Sequence, residues 1–325
     1  MQNHVIGIDV SKEKLDICAI CSDKVRKKVI TNNESGFKHL IEWISNLQLV
    51  NPNICMESTG CYSEGVAEFL HEKGFKVSVV NPVQIKNFRM SKLVRQKTDS
   101  SDSEMIAKFC LQNNPNQWTP KSREHKELRE INRRIESLKT ELNRLTNFLE
   151  KKVLNESVKE SINEEKKFVK KQIKTLEKEA KKIVEGNEKL KKQYAILISI
   201  KGVGPKTALT ILADMPDVND FESAKQYAAF IGVTPSHFQS GTSVNGQSKI
   251  SKIGSSKTRK VLYMSALVTK NHNEHFQSFV NKLEKKGKPA KVIITAVMRK
   301  LMHIFFGMLK NNTNFDGNSG SFNSP

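Results

Sequence analysis

The strongest constraint on the fold lies in the middle of the chain. Leu128, Ile131, Ile135, Leu138, Leu142, Leu145 and Leu149 alternate at spacings of three and four. That is a heptad seam, which only a long helix can present along one side. The phase is lost between Lys151 and Ser161 and resumes at Ile162, Val169, Ile173, Leu176, Ala180, Ile183 and Leu190. Two long helices with a break between them predict a coiled-coil hairpin over residues 122–192, roughly 40 Å long at about 1.5 Å per residue. One apolar seam per helix suits a solvated spacer or, on our reading, a dimerisation arm with a basic outer face. The hairpin separates residues 1–121 from 193–310, and an Asn/Gly/Ser-rich tail, 311–325, is predicted to be disordered.

The flanks differ in pattern. Val5 to Val10, Leu15 to Ile20 and Lys24 to Ile30 read as three short strands, and Ser35 to Leu47 as an amphipathic helix. A buried strand, Asn53 to Glu57, a helix from Tyr62 to Lys73 and a strand from Gly74 to Val80 follow. A hairpin-rich start passing into a βαβαβ pattern predicts an α/β domain, a mixed sheet covered by helices. Beyond Tyr194 the chain is helical, over roughly Lys206–Met215, Ser223–Ile231, Ser256–Lys270 and Ala290–Leu309.

Charge follows the same division. The chain carries 54 Lys+Arg against 34 Asp+Glu, a net of +20. Residues 1–121 contribute +3, 122–193 contribute +7 and 194–325 contribute +10. Such an excess calls for an anionic partner, and a phosphate backbone is the usual one. Five cysteines argue against a secreted disulfide framework, and Met1-Gln2-Asn3-His4 does not begin a leader. The most apolar run, Val292 to Leu309, is interrupted by Arg299, Lys300 and His303 and is expected to be too short to span a bilayer. The expectation is a soluble protein of a reducing compartment, facing nucleic acid and not a membrane.

Acids sit where an acid needs a reason. Asp9 ends an apolar strand, Gly7-Ile8-Asp9-Val10-Ser11, and Glu57 ends the next buried strand. A carboxylate there is costly unless paired or metal-bound. Asp99 and Asp102 open a helix at i and i+3 and so share one face of its first turn. A ribonuclease-H-like sheet would bring all four together, and four clustered carboxylates imply Mg²⁺, two ions in a phosphodiester site. Singly, Asp99 reads as a helix N-cap, Asp102 as a helix-dipole acid, and Asp9 equally as the first-strand acid of an actin-like kinase.

In the last third, Ile200-Lys201-Gly202-Val203-Gly204-Pro205-Lys206 has the form of a helix-hairpin-helix turn. Gly202 and Gly204 would let backbone approach phosphate, and Lys201 and Lys206 add charge. Lys249, Lys252, Lys257 and Arg259 extend the expected nucleic-acid face. Among Ser236, Ser240, Ser243 and Ser248, chemistry alone selects no nucleophile, since serines in Gly-rich loops mostly form turns. The cysteines read as structural, and the histidines show no ligand pattern.

Taken in order, Gly7-Ile8-Asp9-Val10-Ser11, Glu57-Ser58-Thr59-Gly60, Asn81-Pro82, Lys97-Thr98-Asp99-Ser100-Ser101-Asp102, Ile200 to Ala208, Gly232-Val233-Thr234-Pro235, Ser240-Gly241 and Ser251 to Gly254 resemble the DEDD transposases of insertion-sequence family 110, kin to the Piv-type DNA invertases. The resemblance covers nearly the whole chain except the tail. It implies a RuvC-like nuclease domain with the quartet Asp9, Glu57, Asp99 and Asp102, and a helical transposase domain with Ser240 as nucleophile. It further implies a covalent protein–DNA link, a structured guide RNA pairing with donor and target DNA, and an active site composed from different protomers of a homo-oligomer, a dimer or tetramer. The rivals are a RuvC-type nuclease or junction resolvase using water, a Piv-like invertase, an actin-like phosphotransferase, and a non-enzymatic nucleic-acid scaffold.

Overall fold

The computed structural model describes residues 4–21, 24–92, 99–151, 155–236, 239–240, 244–245 and 249–316; side chains at Cys61, Asp99, Ser100, Ser236, Gln239, Ser240, Val244 and Asn245 lie outside the description. Contacts divide the chain into two compact units, Met1–Lys121 and Ser122–Pro325.

Unit 1 is built on a five-stranded mixed sheet. Strands β1 (Val5–Val10), β2 (Lys14–Cys21) and β3 (Lys24–Thr31) form an antiparallel meander, and β4 (Asn53–Glu57) and β5 (Lys76–Val80) add in parallel on the other side of β1, giving the order β3-β2-β1-β4-β5. Strand periodicity sorts the side chains onto two faces. Ile6, Ile8, Ile17, Ile54 and Met56 meet Phe37, Leu40 and Ile44 of helix α1 (Glu34–Asn46) and Val66, Ala67 and Leu70 of helix α2 (Cys61–Glu72). Val5, Cys18, Cys55 and Val80 meet Ile85 of helix α3 (Pro82–Ser91) and Met105, Ile106 and Phe109 of helix α4 (Asp99–Asn113). Helices therefore cover both faces, as the parallel half of the sheet requires.

Unit 2 is helical. Helices α5 (Arg123–Glu150) and α6 (Glu156–Gly186) pack together through Ile135, Leu138, Leu145, Val169 and Ile173, which are seam residues of the sequence pattern. The second seam does not run through one helix to Leu190. Gly186 ends α6, and the Asn187 side chain accepts from the Leu190 N–H at 3.1 Å, capping a separate helix α7 (Glu188–Ile198). The base of the helix pair, at Leu128, Ala180 and Val184, shares a core with α7, α8 (Pro205–Asp214), α9 (Ala224–Phe230), α10 (Ser256–His272), α11 (Glu274–Lys285) and α12 (Ala290–Asn311). Between α9 and α10 lie four two-residue strands, β6 (Pro235–Ser236), β7 (Gln239–Ser240), β8 (Val244–Asn245) and β9 (Lys249–Ile250).

Two sequence expectations change here. Contrary to the reading of its charges as interruptions, α12 is by length and composition apolar enough to cross a membrane. Its apolar side is spent within the fold: Ile293, Val297, Leu301, Met302 and Phe305 are core residues of unit 2. The tail expected to be disordered from Asn311 is placed at its start. The Thr313 N–H donates to Met308 O at 3.0 Å, the Phe315 N–H donates to Ser199 Oγ at 2.9 Å, and the Phe315 ring meets His275 edge-on. Residues 317–325 lie outside the described residues.

Candidate functional site

Register assembles a row of acids on the α4 face of the sheet. Asp9 stands directly opposite Asp16 in the antiparallel β1–β2 ladder. In the parallel β1–β4 ladder Ile8 is level with Met56, so Asp9 and Glu57 follow side by side at the two strand ends. Residues 7 and 9 share a face, as do 55 and 57, and that face carries Cys55 against α4. Asp16, Asp9 and Glu57 thus occupy successive places across three strands.

What sets α4 over this row is Gly7. A Cβ on Gly7 would lie 2.2 Å from Ser103 O and 2.3 Å from Ala107 N, so only glycine lets the helix backbone lie on the strand. The close approach fixes the first turn of α4, with Asp99 and Asp102, at the end of β1 that bears Asp9. Asp102 is ion-paired with Arg89 of α3, the two side chains being 14% and 17% exposed. Asp16, buried, is ion-paired with Lys14 at 3.1 Å. Glu104, two residues beyond Asp102, is held below the usual carboxylate range by hydrogen bonds from Lys108 and Lys27. Two residues past Glu57, Thr59 Oγ1 is a buried hydroxyl oxygen with no hydrogen-bond partner among the described residues.

The carboxylates of the row suit a hard divalent cation by donor type, and the Arg89 guanidinium already places one positive charge on Asp102. Among the described residues, no group of three or more His, Cys, Asp or Glu side chains is drawn together as a ready ligand set. The structure brings Asp9 and Glu57 to neighbouring places and turns Asp102 to Arg89, while the Asp99 side chain lies outside the description. Sequence reasoning did not single out Asp16, Arg89 or Thr59. Asp16 left a signal, an acid inside the apolar strand Leu15-Asp16-Ile17; the pairing of Arg89 depends on tertiary structure and left none.

The expected nucleic-acid residues of unit 2 fall into separate groups. Lys201 is exposed in the turn between α7 and α8. Gly202, at φ +109°, packs closely on α10: a Cβ there would lie 2.3 Å from Thr269 Oγ1. Gly204 caps α8 with open space around it. Lys206 is ion-paired with Glu136 of α5 at 2.8 Å. Arg259 donates to the carbonyls of Ile231 at 2.9 Å and Gly254 at 3.0 Å, which makes it a brace for the loop before α10. Lys249 and Lys252 are exposed; Lys257 joins Arg134 and Lys260 along a groove of about 800 Å³ between the helix pair and α10. Ser240 lies in β7, its backbone paired with Val244 of β8, and its side chain lies outside the description.

Comparison with known proteins finds two matching segments, the first of which runs past the boundary at Lys121. A family model for DEDD transposases of the IS110 type, described as Transposase, matches residues 6–158, and one described as Transposase IS116/IS110/IS902 family matches residues 194–281. The pilin gene-inverting protein of Moraxella bovis is 32% identical over 319 residues, covering 97% of this chain and 98% of that protein. The transposase for insertion sequence element IS1111A of Coxiella burnetii is 22% identical, over 89% of this chain and 82% of that protein. Among solved structures, T. thermophilus RuvC in complex with a Holliday junction substrate aligns over 36% of this chain and 99% of that one at 14% identity, with a TM-score of 0.27, too slight a likeness to build on. With both family models in sequence order and a relative aligned from end to end, the chain belongs to the insertion-sequence 110 family of transposases and DNA invertases.

Proposed function

We propose that this protein is an RNA-guided, Mg²⁺-dependent DNA recombinase that excises and inserts its own mobile element. The observation that carries the reading is the placement of Asp9 and Glu57 at adjacent parallel strand ends, under a helix whose first turn bears Asp99 and Asp102. The strand order, an antiparallel meander extended by two parallel strands, is the one a ribonuclease-H-like nuclease uses to gather such acids.

Asp9, Glu57, Asp99 and Asp102 would hold two divalent ions, with Mn²⁺ able to substitute. When bound, the metal supplies Lewis-acid stabilisation of the charge that builds on the phosphate. The residues' own tasks are distinct. Asp9 and Glu57 are fixed by the sheet and set the position of the site; Asp102, now paired with Arg89, would have to turn from it to join them. Ser240 Oγ attacks phosphorus, its proton passing to a carboxylate, as the bond from phosphorus to the departing deoxyribose oxygen breaks and that oxygen gains a proton. The phosphoserine link conserves the bond, so the reverse transfer rejoins strands without ATP. Double-stranded DNA of the element ends and the target, a structured guide RNA and further copies of the chain, as a dimer or tetramer, are the partners of this reading. The helix pair α5–α6, with its exposed lysines, is the arm we assign to assembly.

A suicide DNA substrate tests the chemistry. A covalent protein–DNA conjugate is expected from the wild type and not from Ser240→Ala; cleavage without a conjugate would return the chain to a water-using nuclease. A second reading is favoured by the end-to-end match to the pilin gene-inverting protein: inversion of a fixed DNA segment. Reporter plasmids with sites in direct or inverted order separate excision from inversion, and adding transcripts of the DNA flanking the gene decides whether RNA is required.

A further inference from the structure

Helix α12 carries a second concentration of charge, and its members are treated unequally by the fold. Lys300 Nζ stands 4.6 Å from the ring centre of Phe279 and 5.6 Å from that of Phe276, and Lys310 Nζ stands 5.0 Å from that of Phe306. Both cations are thereby partnered by aromatic faces. Arg299 and His303 are not. Arg299 Nε and His303 Nε2 are buried nitrogens with no hydrogen-bond partner among the described residues. They are four residues apart, on one face of the helix.

The neighbouring element adds charge of the same sign. Tyr227 of α9 and Phe306 of α12 pack with ring centres 5.8 Å apart. Burial, then Arg299 and then Lys225, two residues before Tyr227, push the His303 imidazole below its ordinary value, and no acid among the described residues opposes them. Burying donors without acceptors and gathering like charges are both unfavourable. A protein keeps such an arrangement where an anion completes it.

We propose that Arg299, His303 and Lys225 form a phosphate clamp that grips one phosphodiester of a bound nucleic-acid strand. The polymer, and not free phosphate, is the favoured source, because unit 2 carries 38 Lys+Arg against 21 Asp+Glu and its family acts on DNA. The clamp is independent of the acid row and of the Ser240 chemistry, so loss of either leaves it standing.

The test is equilibrium binding of the full-length protein to a duplex DNA of random sequence and to an RNA hairpin of similar length, over a range of salt. Arg299→Gln should weaken binding alike across sequences and lower the salt slope by about one for the polymer that occupies the clamp. Arg299→Lys should restore most of the slope. Without nucleic acid, Arg299→Gln should melt at or above the wild-type temperature, since it removes a buried Nε with no acceptor among the described residues. A changed slope with DNA, RNA or both supports the clamp and names the source. An unchanged slope with both polymers, a response to inorganic phosphate alone, or a marked fall in melting temperature would overturn it.

Discussion

The two charged regions of the molecule solve the crowding of like charges in opposite ways. On the sheet face of unit 1, acids come with cations attached: Lys14 on Asp16, Arg89 on Asp102, and Lys27 and Lys108 on Glu104. On α12 of unit 2, Arg299 and the imidazole of His303 stand together, with no acid set against them among the described residues. On the function proposed above, side-chain cations would keep the carboxylate row in place before a metal binds. A phosphate clamp given its own carboxylates would compete with its ligand. On the two proposals above, internal counter-charge would suit a site that exchanges cations, and missing counter-charge one that takes an anion.

The sharpest way to break this contrast is to grade the acids. Asp9→Ala and Glu57→Ala are expected to reduce strand exchange to background in a plasmid recombination assay, with far-UV circular dichroism unchanged. Asp16→Asn, opposite Asp9 but tied to Lys14, should lose only roughly 10- to 100-fold, as groups supporting metal ligands do. Equal losses at all three positions would mean that the row acts as one ligand set and that Lys14 is no more than a surface charge.

Next in size is the cost of separating α4 from the sheet. With backbone atoms 2.2 and 2.3 Å from the added methyl, Gly7→Ala cannot be relieved by a side-chain rotation. It should cost at least about 1–3 kcal/mol, the usual range for overpacking, read as a shifted denaturant midpoint. Recombination should fall further than stability does, because the displaced helix carries Asp99 and Asp102. A Gly7→Ala protein with normal stability and activity would show that the acid row does not depend on this contact.

How much of this was legible in the sequence depended on whether the signal was local. Strand alternation in Val5–Val10 and the heptads from Leu128 to Leu149 are properties of neighbouring residues, and β1 and α5 formed where they predicted. Helix α3 begins at Asn81-Pro82 with an Asn cap accepting from the Val83 N–H at 2.9 Å, a start that strand alternation up to Val80 does not reveal. The cap at Asn187 was hidden by a seam that continues in phase beyond it. Asp9 and Glu57 could be named because each ends an apolar strand, whereas the Arg89–Asp102 pair, the Gly202–Thr269 contact and the bare donors of α12 are set by tertiary packing.

The two glycines of the α7–α8 turn offer a smaller test, since one role was expected for both and their surroundings differ. Gly202→Ala meets Thr269 at 2.3 Å and a left-handed φ of +109°, and should destabilise unit 2 by about 1–3 kcal/mol. Gly204→Ala meets nothing within 4 Å and should leave stability nearly unchanged. If Gly204→Ala nonetheless weakens DNA binding, phosphate approaches the turn there; if neither change affects binding, the turn is a structural connection only.

The smallest effect concerns pH. Burial, then Arg299, then Lys225 hold His303 below the ordinary histidine value of 6.5, so in the window between its folded value and 6.5 the unfolded chain binds more protons than the folded one. Stability from this residue is therefore full above 6.5 and is lost as pH falls through the folded value. Nucleic-acid affinity should move the other way in the same window, because a bound phosphate favours the imidazolium that the free protein resists. Melting temperature and affinity measured from pH 8 downward should show these opposed trends in the wild type, and both should be reduced in His303→Gln, which has no proton to gain. Other histidines contribute to the wild-type curves, so the difference between the two proteins is the decisive quantity. A difference in stability without one in affinity would leave His303 a buried histidine of the core and reduce the clamp to Arg299 and Lys225.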